Sequence, residues 1–159
     1  MPNVILAEHD LASTPLTITL ADLPSSTAGV GRQSTMVNNE LLKQIIHIFV
    51  KVTTHATIAV TADTNIFVYF LKGDDPNSSA HRTDGFGASD LGRTIVNARK
   101  LGVIRVNAVT ANVAYFGEYT VYNPGPEWGI AIVQDTGQLL HTTAGNHHVR
   151  WTGENQEIQ

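Results

Sequence analysis

The chain contains no cysteine. That removes disulfide frameworks, thiolate nucleophiles and cysteine-ligated zinc together. Charge is almost as scarce: Asp, Glu, Lys and Arg make up 15% of the residues, against about 25% in ordinary soluble domains. What charge there is sums to −4 at pH 7, which supplies no basic face for nucleic-acid phosphates. No apolar run approaches the ~20 residues that span a bilayer. The opening Met1-Pro2-Asn3-Val4-Ile5 lacks the basic region and long apolar stretch of a secretory signal. Neither nucleic acid nor a membrane is therefore an expected partner. Catalytic signatures are missing too: there is no Gly-x-Ser-x-Gly, no Gly-x-x-x-x-Gly-Lys-Ser/Thr and no His-Glu-x-x-His. No enzyme and no cofactor is expected.

What fills the gap is threonine, at 18 residues, and asparagine, at 11. A skin poor in charge is what neighbours cover, because charged residues are depleted from interface cores. The 159 residues fit one domain by length alone, large enough to fold without a metal or a disulfide.

The segments read as strands. Leu16, Ile18 and Leu20 alternate with Thr17 and Thr19, a half-buried pattern. Residues 28–36 are small and read as a loop. In the run 41–54 the β-branched stretch Ile45 to Thr53 favours a strand, with Ile46, Ile48, Val50 and Val52 on one face. Ile45, His47, Phe49 and Lys51 take the other, only partly buried face. Further strands are expected at 57–61, 65–71, 93–97, 102–109, 112–122, 128–133, 138–142 and 147–152, with 65–71 apolar on both faces as a central strand is. Residues 89–100 give a weak helical pattern. About ten short strands with regular turn signals predict an all-β, jelly-roll-like β-sandwich over residues 1–159. Short arms are expected at about 1–14 and 153–159. The connection 73–90 is long for a compact domain, which marks it as functional or pinned by a partner.

Candidate chemistry is thin. His147 and His148 are adjacent, so in a strand they point to opposite faces and cannot share one ion. His141 with one of them lacks a third ligand, and no metal site is expected. Asp74, Asp75, Asp84 and Asp90 are oxygen donors without the calcium-loop spacing, and Asp74 and Asp75 beside Pro76 and Asn77 suit a tight turn. Gly29-Val30-Gly31 and Gly85-Phe86-Gly87 do not sit between a strand and a helix, as a nucleotide cradle requires. Glu118 and Glu127 form a carboxylate pair only by imagination. Tyr115, Tyr119 and Val121 share one strand face, with Gly117 between the tyrosines, suggesting a bulge or a close backbone approach. Those tyrosines and Trp151 suit either the core or a subunit contact. The polar tail 153–159 has almost nothing apolar to bury, so a partner surface is expected to hold it through Glu154, Gln156 and Ile158.

The strings Gly125-Pro126-Glu127-Trp128-Gly129-Ile130-Ala131-Ile132-Val133, Asp135-Thr136-Gly137 and Asn146-His147-His148-Val149-Arg150-Trp151-Thr152-Gly153 resemble small virion proteins of tailed bacteriophages. Ala7-Glu8-His9-Asp10-Leu11 and Arg82-Thr83-Asp84-Gly85 are similar to the same group. The resemblance implies a β-rich structural protein on the capsid surface of a virion, decorating the head and bound to the major capsid protein, as a homo-oligomer with a trimer favoured. It implies no catalytic residues. A tail component (tube, terminator or baseplate subunit) and a carbohydrate-binding jelly roll for host recognition are the alternatives.

Overall fold

The computed structural model describes residues 5–9, 12–41, 43–78, 82–84 and 90–158, with backbone only at 5–9, 91 and 156–158. Its strands are β1 (Ile5–His9), β2 (Thr14–Pro15), β3 (Val30–Gln33), β4 (Val37–Asn38), β5 (Ile45–Thr53), β6 (Thr64–Gly73), β7 (Leu91–Thr94), β8 (Arg99–Val106), β9 (Ala114–Tyr122), β10 (Glu127–Gln134) and β11 (His148–Ile158). They form two antiparallel sheets. Sheet one runs β1-β11-β5-β9, with β2 also on β11; sheet two runs β7-β3-β10-β6-β8, with β4 also on β10.

Set the two-residue β2 and β4 and the edge strand β7 aside and the pairing is nested. The first remaining strand pairs with the last (β1–β11), the second with the second-last (β3–β10), then β5 with β9 and β6 with β8. Two further ladders, β11–β5 and β10–β6, join the nested pairs into sheets. A doubled-back ribbon rolled in this way is a jelly roll.

The core lies between the sheets. Ile46, Ile48, Val50 and Val52 of β5 face Ile66, Val68 and Phe70 of β6 and Trp128, Ile130 and Ile132 of β10, all buried. Trp128 is fully buried at its centre, stacked on Phe70 at 6.2 Å and meeting Trp151 edge-on at 5.1 Å. Strand β10 is buried along its whole length.

Several sequence expectations change. Residues 16–20 are not a ladder strand. The chain there crosses from one sheet to the other: Leu16 N–H donates to the Val149 carbonyl at 2.9 Å, and Thr17 O accepts from Thr35 N–H at 2.9 Å. Leu16 and Leu20 still plug the core, so the alternation was real but the ladder was not. Residues 57–61 are a loop, because the His55 ring accepts the N–H of Thr57 and of Ile58 at 3.2 and 2.9 Å. A side chain has taken donors that a sheet would use. Residues 138–142 also bond singly, Leu140 to Leu23 and His141 to Thr53. Conversely, β3 lies inside the small-residue stretch read as a loop. A Cβ at Gly31 would sit 2.3 Å from the Ile132 carbonyl oxygen, so a small residue is what this close strand approach requires. The weak helical pattern at 89–100 is β7 and the start of β8. The tail is not an arm: β11 continues through Gly153 to Ile158 and pairs with β1, Ile5 opposite Ile158. Its partner is the other end of the same chain.

Candidate docking face

The two outer faces of the sandwich differ. Sheet two is covered by its own chain along β10. The guanidinium of Arg82 forks onto the Glu127 carboxylate, with both side chains nearly buried. Lys72 and Thr83 exchange bonds of 2.8 and 2.9 Å beside it, and Asp84 Oδ1 accepts the N–H of Val96 and Asn97 at 3.0 and 2.6 Å. The long connection is therefore pinned from within at 82–84. Met36 and Ser34 press against Gly129, and the Lys100 ammonium lies 4.5 Å from the Phe67 ring centroid.

Sheet one is open. Its registers set Lys51 between Phe116 and His148, Phe49 between Glu118 and Arg150, His47 between Thr120 and Thr152, and Ile45 between Tyr122 and Glu154. Strand alternation turns all of these outward, away from the β5 core row. Three of them are large aromatics in water: Phe116 is 70% exposed, Tyr122 68% and Phe49 36%. Phe49, Lys51, Phe116, Glu118 and His148 line a shallow cleft of about 360 Å³. Polar groups around it are held in place. His47 bridges Glu154 at 2.7 Å and Thr120 Oγ1 at 3.1 Å, and Arg150 is tied to Ser13. Partial burial, then the cations of Lys51 and Arg150, holds the His148 imidazole below its ordinary pKa.

Three of the six residues expected at an interface lie inward instead. Tyr115, Tyr119 and Trp151 pack against the core; Tyr119 lies over Gly102 and Gly117, and burial raises its phenol pKa. The close approach expected at Gly117 is real, made by the Tyr119 hydroxyl and Ile104 rather than by a backbone, and the β5–β9 register runs through without a bulge. Glu154 does sit on the open face. The side chains of Gln156 and Ile158 lie outside the described residues, as does Gly85-Phe86-Gly87. Phe116 and Tyr122 were missed because the strand 112–122 is aromatic on both faces, whereas Phe49 already stood on the partly buried face expected for β5. Glu118 and Thr120, which share a face with Phe116 and Tyr122, were the signal that this face turns to water.

The remaining candidates are accounted for locally. His147 Nδ1 accepts the Thr53 N–H at 3.2 Å, so its proton sits on Nε2 and is donated to the His141 carbonyl at 2.8 Å. His141 Nδ1 accepts from Thr143 N–H, and its Nε2 lies 3.0 Å from the Asn146 amide. These rings have spent their nitrogens on the fold. Asp75 caps its own turn, accepting Asn77 N–H at 2.8 Å. Glu118 and Glu127 are on different sheets. Among the described residues no group of three or more His, Asp or Glu could hold a metal ion. In sequence the chain matches no protein-family model and no curated protein.

Proposed function

We propose that the protein is a structural subunit of a virus particle, a head decoration (cement) protein whose open sheet docks on the assembled lattice of the major capsid protein. The observation that carries this reading is the asymmetry of the sandwich, one outer face covered by its own chain along β10 and the other presenting three exposed aromatics. Jelly rolls serve in capsids and lectins alike, so the fold alone assigns nothing. The low charge and the resemblance to tailed-phage virion proteins favour the capsid. Docking needs no nucleophile and no metal: aromatic anchors in a partly apolar cleft supply affinity, and binding only the assembled lattice stabilises it by mass action.

The test is co-sedimentation of the full chain with emptied phage heads. Saturable binding is expected, weakened about 10- to 30-fold by Phe49→Ala, the range for losing a central aromatic anchor. Absence of binding to heads, or binding unchanged in the variant, overturns the reading. Binding confined to tails supports the tail alternative. Glu118 beside two phenyl rings is the feature that favours a glycan instead, and soluble glycans captured by the native chain but not by Phe116→Ala would establish it.

A further inference from the structure

A strand at the edge of a sheet carries a row of unpaired N–H and C=O groups, and proteins usually guard such edges. The ends of the two sheets here are β1, β9, β7 and β8. Strand β1 has five residues and β7 only four. Strand β8 carries Arg99, Lys100 and Arg105 and a register irregularity opposite Val68/Tyr69. Among the described edges strand β9 is the least guarded, with the single charge of Glu118. It is nine residues long, contains no Lys, Arg or Pro, and pairs with β5 in unbroken register. Residues with positive φ, Asn112 (+59°) and Asn123 (+50°), bracket it and end the extended run on both sides.

The ladder shows which groups of β9 no strand among the described residues pairs. Thr54 N–H donates to Val113 O at 3.0 Å and Asn123 N–H to Gln44 O at 2.7 Å. These bonds direct the odd-numbered residues of this strand toward β5. By the alternation of an antiparallel ladder, the backbone groups of Phe116, Glu118, Thr120 and Tyr122 therefore point away from the sheet. Their side chains stand on the open face.

This row is complementary to itself. We propose that β9 pairs antiparallel with β9 of a second copy about a two-fold axis through Tyr119, joining two copies of sheet one into a continuous sheet. In that register Phe116 lies opposite Tyr122 of the other copy, and Glu118 lies opposite Thr120, each occurring twice. These are the residues whose backbone groups are open, so every such pair exchanges two N–H···O=C bonds. The aromatic pairs cover the two most exposed rings of the face, and aromatic cross-strand pairs are stabilising. An axis one residue earlier would set Glu118 against Glu118, a like-charge pair. The contact is isologous and closes on itself, in place of the trimer that the phage resemblance implies. It stands whether or not the protein works on a capsid.

Sedimentation equilibrium of the full chain, with two opposite substitutions at exposed Thr120, tests this. A reversible dimer is expected for the native chain. Thr120→Glu puts like charges opposite each other in both symmetric pairs and weakens dimerisation roughly tenfold, whereas Thr120→Lys faces Glu118 and strengthens it by a similar factor. A fold defect at this position would push both variants the same way, so circular dichroism and opposite signs together separate pairing from misfolding. A native chain that stays monomeric to about 100 µM (association too weak to count as specific), a three-fold oligomer, or two variants that shift in the same direction overturns the proposal.

Discussion

At the scale of single residues, this protein spends its unusual side chains on closeness and on buried donors. Gly31 is the clearest case: a methyl group there would meet a backbone oxygen that cannot swing aside. Gly31→Ala should cost about 1–3 kcal/mol, as overpacking does. Gly145→Ala, where nothing lies within 4 Å, should change little, and urea denaturation of the two variants checks the contrast. His147 makes a different commitment. Burial lowers its pKa, with the Thr53 N–H already occupying the site a second proton would need. The unfolded chain takes up that proton at about pH 6.5 while the folded chain resists, so the unfolded state binds more protons and stability falls as pH drops below that value. His147→Gln should flatten the loss between about pH 6.5 and 5, above the range where ordinary carboxylates titrate. The partly exposed His148, shifted the same way, accounts for a smaller part.

Elements show how the chain closes on itself. The buried Arg82–Glu127 pair fixes the long connection against sheet two, and a buried charge left alone costs about 3–5 kcal/mol. That is why 82–84 stay on the sheet although the connection around them is long. The C-terminal strand does the equivalent for sheet one: Gly153 and Glu154 pair with Ile46 and Ile45, and the residues beyond pair with β1. Deleting residues 153–159 would strip β1 of its partner and remove the His47–Glu154 contact. The truncated chain should melt several degrees lower, because one or two kcal/mol lost shifts the midpoint by about 2–4 °C each at this size. An unchanged thermal midpoint would return these residues to the role of a free arm.

For the whole molecule, the nested pairing makes one edge and one face matter more than the others. Covering sheet two along β10 leaves the most exposed aromatics on sheet one, and the little-guarded β9 borders that same face. Two copies joined at β9 would bring two aromatic clefts side by side on a single sheet, the arrangement a repeating lattice can engage with avidity. Folding coupled to such pairing makes the thermal midpoint depend on protein concentration. That dependence should be visible for the native chain and for Thr120→Lys, and lost for Thr120→Glu in the same concentration range.

The alternation of apolar and polar residues was enough to determine the all-β class, the inward row of β5 and the opposition of His147 to His148, because a strand has a period of two whatever surrounds it. On β9 it left only Glu118 and Thr120 to mark the outward face, since Tyr115 and Tyr119 on one side are as apolar as Phe116 and Tyr122 on the other. Packing of Tyr119 and Gly117 against Ile104 and Gly102 is what seats the tyrosine face inward. Nor could local pattern separate a crossing from a ladder at 16–20, or find a strand in the small residues around Gly31, because both depend on which distant backbone arrives opposite. The jelly-roll order and the internal partner of the tail have the same origin. They are pairings between residues far apart in the chain, and tertiary structure alone brings those together.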